Sequence, residues 1–238
     1  MTRNPLQLAW GLWAFLLVIP VVLLAGFAIL LLPGLTARRA TAGAVCRAYF
    51  LLSGLPVRRN GLDRLPATGC VIVANHASYL DGPLLFAHLP PRFGFVIKKE
   101  ASRAPVLGYL LQRLGHHFVE RNNRHEGAGD ARRILRALER GEAVAFFPEG
   151  TFSPDQGIGR FHDGAFALAA RTGLPVAPVA IRGTREVLGG TQRWPHWSRI
   201  AIEVLDPLPA RTGAGDAASE LRDAARERIA AATREPLL

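Results

Sequence analysis

From Asn4 to Ala37 the chain carries no charged side chain, and the 25 residues Leu8 to Leu32 are almost wholly Leu, Val, Ala, Ile, Phe and Trp. As a helix such a run reaches about 37 Å, beyond the roughly 30 Å hydrocarbon core of a bilayer. No soluble fold needs so long an unbroken apolar stretch at its end, so the segment is expected to insert into a membrane. It is too long for a signal peptide, and no clear small-residue cleavage site follows it. Pro20 lacks an N–H and would crowd the carbonyl of Leu16, which predicts a kink or break. Two arrangements stay open, a single crossing or a hairpin that dips in and returns. Arg3 on one flank and Arg38 and Arg39 on the other favour the cytoplasmic side for the larger basic cluster. Residues 41–54 read as a second, shorter amphipathic helix, interrupted by Arg47 and suited to the interface.

The net charge of +10 comes almost wholly from arginine, since Lys98 and Lys99 are the only lysines. Between residues 33 and 66, Arg38, Arg39, Arg47, Arg58, Arg59 and Arg64 face a single acid, Asp63. An excess directly after an apolar segment is most simply explained by anionic lipid headgroups; a general arginine bias is the plainer alternative. No zinc-ligand spacing, aromatic RNA-binding pattern or basic coiled coil points to nucleic acid. The two cysteines, Cys46 and Cys70, form no CxxC or disulfide framework and read as small buried apolar residues.

A chain of 238 residues suits one globular domain plus an attachment segment, here 55–238 and 1–54. Beyond Pro56, β-rich runs at 70–74, 93–97, 117–119, 143–147, 176–182 and 199–205 alternate with helical runs at 83–89, 104–114, 127–140, 163–172 and 215–232. Buried strands interleaved with helices predict an α/β fold, a layered sheet of mostly parallel or mixed strands flanked by helices.

The sharpest local feature directly follows strand 70–74: Asn75-His76-Ala77-Ser78-Tyr79-Leu80-Asp81. A histidine at a strand's exit with a carboxylate five residues on can form a His–Asp pair, the acid fixing one ring nitrogen and leaving the other basic. Asp81 also suits a helix cap before Gly82-Pro83, and both roles are compatible. No G-x-S-x-G elbow supplies an enzyme nucleophile, so the pair would deprotonate a hydroxyl of the substrate. After strand 143–147 comes Phe147-Pro148-Glu149-Gly150-Thr151, with a carboxylate, a glycine open to close backbone approach, and a hydroxyl. The short strand 117–119 ends in Glu120-Arg121, and Arg121 can fork onto a phosphate.

In this order the segments resemble one family, the glycerolipid acyltransferases, whose best-known members acylate lysophosphatidate. Asn75, His76, Ser78 and Asp81 look like its NHxSxxD block, Phe118 to Arg121 like its second block, and Phe147 to Thr151 like its third. Leu174 to Val179 looks like its proline-containing fourth. The likeness covers roughly residues 55–185. It implies His76 and Asp81 as catalytic residues and Arg121, Glu149, Gly150 and Thr151 as acceptor-binding residues, with no cofactor or metal. The implied reaction passes a fatty acyl chain from acyl-CoA or acyl carrier protein to a lysophospholipid hydroxyl, 1-acylglycerol-3-phosphate giving phosphatidate. Membrane lipids are the implied partners and a bacterial-type inner membrane, with the site facing the cytoplasm, the implied place. Two departures matter. Glu120 stands where an aspartate is common, and His162 replaces a lysine common after the third block. The second substitution keeps lyso-ornithine lipid, or another lysolipid, open as the acceptor. A water-activating lipid hydrolase and a non-enzymatic membrane adaptor are the readings from other classes.

Overall fold

The computed structural model describes residues 4–120, 124–152, 155–210, 212 and 216–238. Two helices come first, α1 (Pro5–Leu31) and α2 (Leu35–Leu52). Then strands and helices alternate: β1 (Val57–Asn60), β2 (Val71–Ala74), α3 (Asp81–His88), β3 (Phe93–Lys98), α4 (Pro105–Arg113), β4 (His117–Val119), α5 (Arg124–Glu139), β5 (Ala143–Phe146), α6 (Gly164–Thr172), β6 (Val176–Arg182), α7 (Thr184–Leu188), β7 (Ile200–Val204) and α8 (Ala217–Thr233). The strands form one seven-stranded sheet in the order β1-β7-β6-β2-β5-β3-β4. Five of them, β6-β2-β5-β3-β4, are mutually parallel, whereas β7 runs antiparallel to β6. The sheet is therefore mixed and flanked by helices, as the alternation predicts.

Strand side chains alternate between faces, and β2 shows the division. Ile72 and Ala74 join Leu84 and Leu85 of α3 and Phe50 of α2 on one face. Val71 and Val73 join Leu138 of α5, Phe166 of α6 and Ile229 of α8 on the other. Covered on both faces, β2 is wholly buried and needs no polar alternation. Cys70 sits in the first cluster, and burial pushes its thiol up to about 11.

Of the kink or break expected at Pro20, the break does not form: α1 continues through Pro20 as one helix. In an apolar surrounding a broken helix strands more backbone groups than the single bond a proline removes. Gly11, Ala14, Leu17, Gly26 and Ile29 form its one buried stripe, while Leu12, Phe15, Ile19, Leu23 and Phe27 point outward. Small residues in the stripe allow close approach, and at Gly11 the indole of Trp194 lies directly on the helix. The chain turns at Pro33-Gly34, and α2 returns against α1, starting earlier than the expected 41–54. The two form a hairpin whose open end is tied by indoles. Trp10 Nε1 donates to Ser53 O at 2.8 Å, Trp13 Nε1 to Leu52 O at 3.0 Å, and Trp197 Nε1 to Gly54 O at 2.8 Å.

The arginines of α2 are also not simply lipid-facing. Arg38 Nε donates to Leu32 O at 2.8 Å, closing the end of α1. Arg39 is buried and donates to the carbonyls of Leu114 (2.7 Å), Gly115 (2.9 Å) and Arg92 (3.2 Å). A guanidinium with five N–H donors can satisfy such a cluster, and here it rivets the hairpin to the loops at the amino ends of β3 and β4.

His116, beside that rivet, is packed edge-on against Phe86 and Phe95, and its Nδ1 accepts from Phe95 N at 3.3 Å. Burial, with Arg39 and His117 adding to it, pushes this imidazole down to about 3. It stays neutral in the fold but takes up a proton on unfolding below its ordinary 6.5. The unfolded state then binds more protons, so stability falls as pH drops from 6.5 towards 3, by about 1.4 kcal/mol per pH unit. Thermal unfolding in detergent between pH 7 and 4.5 should show this slope, and His116→Phe should make it shallower.

Candidate active site

Strand β2 ends where Asn75 replaces the ladder. Its side chain donates to Ile181 O at 2.9 Å and accepts from Ile181 N at 2.8 Å, pinning the strand's exit to β6. The next residue, His76, is released from the sheet at its carboxyl edge, where ligands of α/β sheets gather. His76 Nδ1 lies 2.9 Å from Asp81 Oδ2, as the spacing predicts. The same oxygen accepts from Ala77 N at 2.7 Å and Ser78 N at 2.8 Å. Three N–H donors on one fully buried carboxylate oxygen are the arrangement a negative charge favours. Asp81 is the first residue of α3 and turns its carboxylate back onto the loop, so the simple cap before Gly82 is not formed. Because Nδ1 donates to the acid, Nε2 is left as the ring's acceptor.

Ser78 is no nucleophile. Its hydroxyl is buried, donates to Leu188 O at 2.6 Å and accepts from Leu80 N at 3.1 Å. Two phenylalanines hold the imidazole: Phe147 stacks on it at 4.2 Å, and Phe152 meets it edge-on at 4.8 Å. Tyr79 packs edge-on against Phe152, and Gly190 leaves room for that ring.

Glu149 is brought to the same place from the end of β5. Its Oε1 accepts from the backbone N–H of His76 at 2.7 Å, its Oε2 from that of Gly159 at 2.9 Å. Burial raises its carboxyl above the ordinary range, and the two amides pull against that shift. Gly150 turns the chain with φ +80°, which glycine alone adopts freely, and Thr151 is exposed beyond it. Arg121 lies outside the described residues. One residue before it, Glu120 N donates to Asp130 Oδ2 at 2.8 Å. His162 is exposed, with its N–H on Pro148 O at 2.9 Å.

An apolar cavity of about 360 Å3 opens beside this turn, lined by Val96, Val119, Ile134, Phe146, Phe147 and Leu168, with Gly150 and His162 also on its wall. Phe147 is thus shared between the cavity and the imidazole. Reading the sequence picks out His76, Asp81 and Glu149 but misses the roles of Phe147, Phe152 and Gly159. Aromatic residues flanking the Pro-Glu-Gly turn are the one signal that points to the first two.

A profile of the acyltransferase family matches residues 56–182. A chloroplastic 1-acyl-sn-glycerol-3-phosphate acyltransferase of Brassica napus is 33% identical over 173 residues, 71% of this chain and 48% of its own length. The lyso-ornithine lipid O-acyltransferase of Pseudomonas aeruginosa is 30% identical over 68% of this chain and 67% of its own. The chain spans about half the length of the chloroplast relative. The crystal structure of the 1-acyl-sn-glycerophosphate acyltransferase of Thermotoga maritima superposes with a TM-score of 0.75 over 95% of each chain, at 20% identity.

Proposed function

The chain belongs to the acyltransferase family, and from that premise we propose that it acylates the free hydroxyl of a membrane lysophospholipid, 1-acylglycerol-3-phosphate above all. The observation that carries this reading is the His76–Asp81 pair at 2.9 Å, beside which Ser78 has its hydroxyl committed to a backbone carbonyl. The acceptor's O–H proton passes to His76 Nε2 while its oxygen bonds to the thioester carbonyl carbon. The C–S bond then breaks, and the thiolate leaves with the proton from His76. Asp81 holds the imidazolium through the charged step. Acyl-CoA or acyl carrier protein supplies the thioester, and no cofactor or metal is required.

Arg121 and the Glu149-Gly150-Thr151 turn are assigned to the acceptor's head group. Glu149 serves there by shape, since its oxygens already accept backbone amides, while Gly150 and Thr151 present backbone and hydroxyl. The apolar cavity walled by Phe147 suits an acyl chain lying next to the base. Residues 1–54 form the attachment unit and 55–238 the acyltransferase unit, at an inner membrane with the site on the cytoplasmic side. Lyso-ornithine lipid is the second reading, favoured by His162 at the cavity wall and by the Pseudomonas relative.

One labelled acyl-CoA offered with a panel of lysolipids tests both. Lysophosphatidate should be the preferred acceptor, and Arg121→Ala should raise its KM about tenfold or more with little change for the donor. A preference for lyso-ornithine lipid, unchanged by Arg121→Ala, selects the second reading. Release of free fatty acid with every acceptor omitted would reject both.

A further inference from the structure

We propose that α4 is a second membrane-inserting element, seated in the same bilayer as α1 and containing anionic phospholipid at its edge. In a helix packed on a soluble domain the outward face is polar. Here Val106, Leu107 and Tyr109 are 71%, 54% and 50% exposed. They are not loose. Gly108 and Leu110 of the same helix are buried, and Leu110 reaches towards Gly26 of α1. Arg113 Nη2 donates to Leu30 O at 3.2 Å, binding the far end of α4 to the far end of α1.

The topology aligns the two helices. β3 and β4 are parallel, so α4 begins at the carboxyl edge of the sheet, where His76 lies, and runs back to the amino edge. α1 runs the same way. Its early part touches Trp194, in the loop whose Gly189 bridges Ser78 and whose Gly190 meets Phe152. The outward residues of α4 therefore continue the apolar surface of α1. Such continuity identifies the occupant as lipid, because a contiguous exposed apolar face of this breadth is otherwise an aggregation hazard. Charge agrees: Lys98 directly before, and Arg103 at the end of, the 3-10 stretch Lys99–Arg103 that leads into α4 are fit for anionic headgroups, while Lys99 is paired with Glu126 and Glu100 lies between them. With α1 and α4 both seated, the edge holding His76 is fixed in height and tilt over the lipid that carries the acceptor.

The inference rests on the membrane attachment proposed above, and the test separates the two. Full-length protein lacking Cys46 is labelled with an environment-sensitive fluorophore at Leu107→Cys, at Leu23→Cys on α1, or at Glu227→Cys on α8. Each is reconstituted with vesicles of phosphatidylglycerol and phosphatidylcholine, with and without brominated acyl chains. Labels at 107 and 23 should be quenched by the brominated lipid and protected from aqueous iodide, and the label at 227 the reverse. Quenching at 23 but not at 107 overturns the role of α4 alone, and failure at both overturns the attachment as well. Protection of 107 from iodide without bromine quenching means that protein, a second copy or another chain, covers this face, which also overturns it. In parallel, Val106→Glu/Leu107→Glu should lower transfer to a long-chain acceptor in vesicles about tenfold while leaving a water-dispersed short-chain acceptor within twofold. Equal losses on both acceptors count against the proposal.

Discussion

Replacing His76 with alanine should lower acyl transfer by about 1,000-fold or more, the range that removal of a general base commands, while the protein keeps its unfolding temperature. The side chain is held between two phenylalanines and contributes one hydrogen bond to the fold, so its loss falls on chemistry. Asp81→Asn should cost a comparable factor, for two reasons that can be separated. With its oxygen in the Oδ2 position the amide still accepts from Ala77, Ser78 and Nδ1 but brings no charge to the imidazolium; flipped, it sets its NH2 against all three donors. Loss of activity with a modest loss of stability is the expected pattern. Near-normal turnover of His76→Ala, in acyl-CoA assays with product counted by mass, sinks the proposed mechanism.

Glu149→Ala should be the most damaging single change outside that pair. It strips the acceptor from two backbone N–H groups at once, those of His76 and Gly159. Leaving a buried donor unsatisfied costs about 1–3 kcal/mol, so the pair together takes a large share of a domain's usual margin of about 5–15 kcal/mol. Glu149→Gln keeps the shape but sets an NH2 against one of those donors, and should cost roughly half as much. Kinetics distinguish how the residue acts. If Glu149 works by holding His76 in place, the glutamine variant loses kcat with little change in acceptor KM. If the carboxylate itself grips the head group, KM rises instead, and the positioning role is excluded. Measuring both constants at one pH, alongside thermal unfolding, decides between them.

Much of this architecture was legible in the residues because each core element carries its own signal. β2, β3, β5 and β6 are short β-branched and apolar runs, and the helices between them end within a few residues of the periodic stretches. What escaped was of two kinds. β1 is Val-Arg-Arg-Asn with both arginines exposed, an edge strand that only its partner β7 makes a strand. The five-residue α7 is too short to show a period. The second kind is long-range pairing. His76 and Glu149 meet across 73 positions and Arg39 reaches carbonyls 75 positions away, contacts that no local pattern encodes. Arg39 was misread for the same reason: beside an apolar run an arginine looks like a lipid anchor, and only the folded chain supplies the carbonyls it binds. The His76–Asp81 pair was readable because its members stand five residues apart and one turn of backbone closes the gap.

The four tryptophans of the chain are Trp10, Trp13, Trp194 and Trp197, and all of them sit where the open end of the hairpin meets the domain. None lies in the sheet, and Trp10 alone of the four packs against one of its two cores. Intrinsic fluorescence of this protein consequently reports chiefly on that one seam: undocking the hairpin moves every indole at once, whereas melting the sheet beneath an intact seam is felt mainly through Trp10. Circular dichroism reads the other half of the molecule, through the strands and the long helices. Comparing the two optical transitions measures whether anchor and catalyst come apart as one cooperative unit or in sequence.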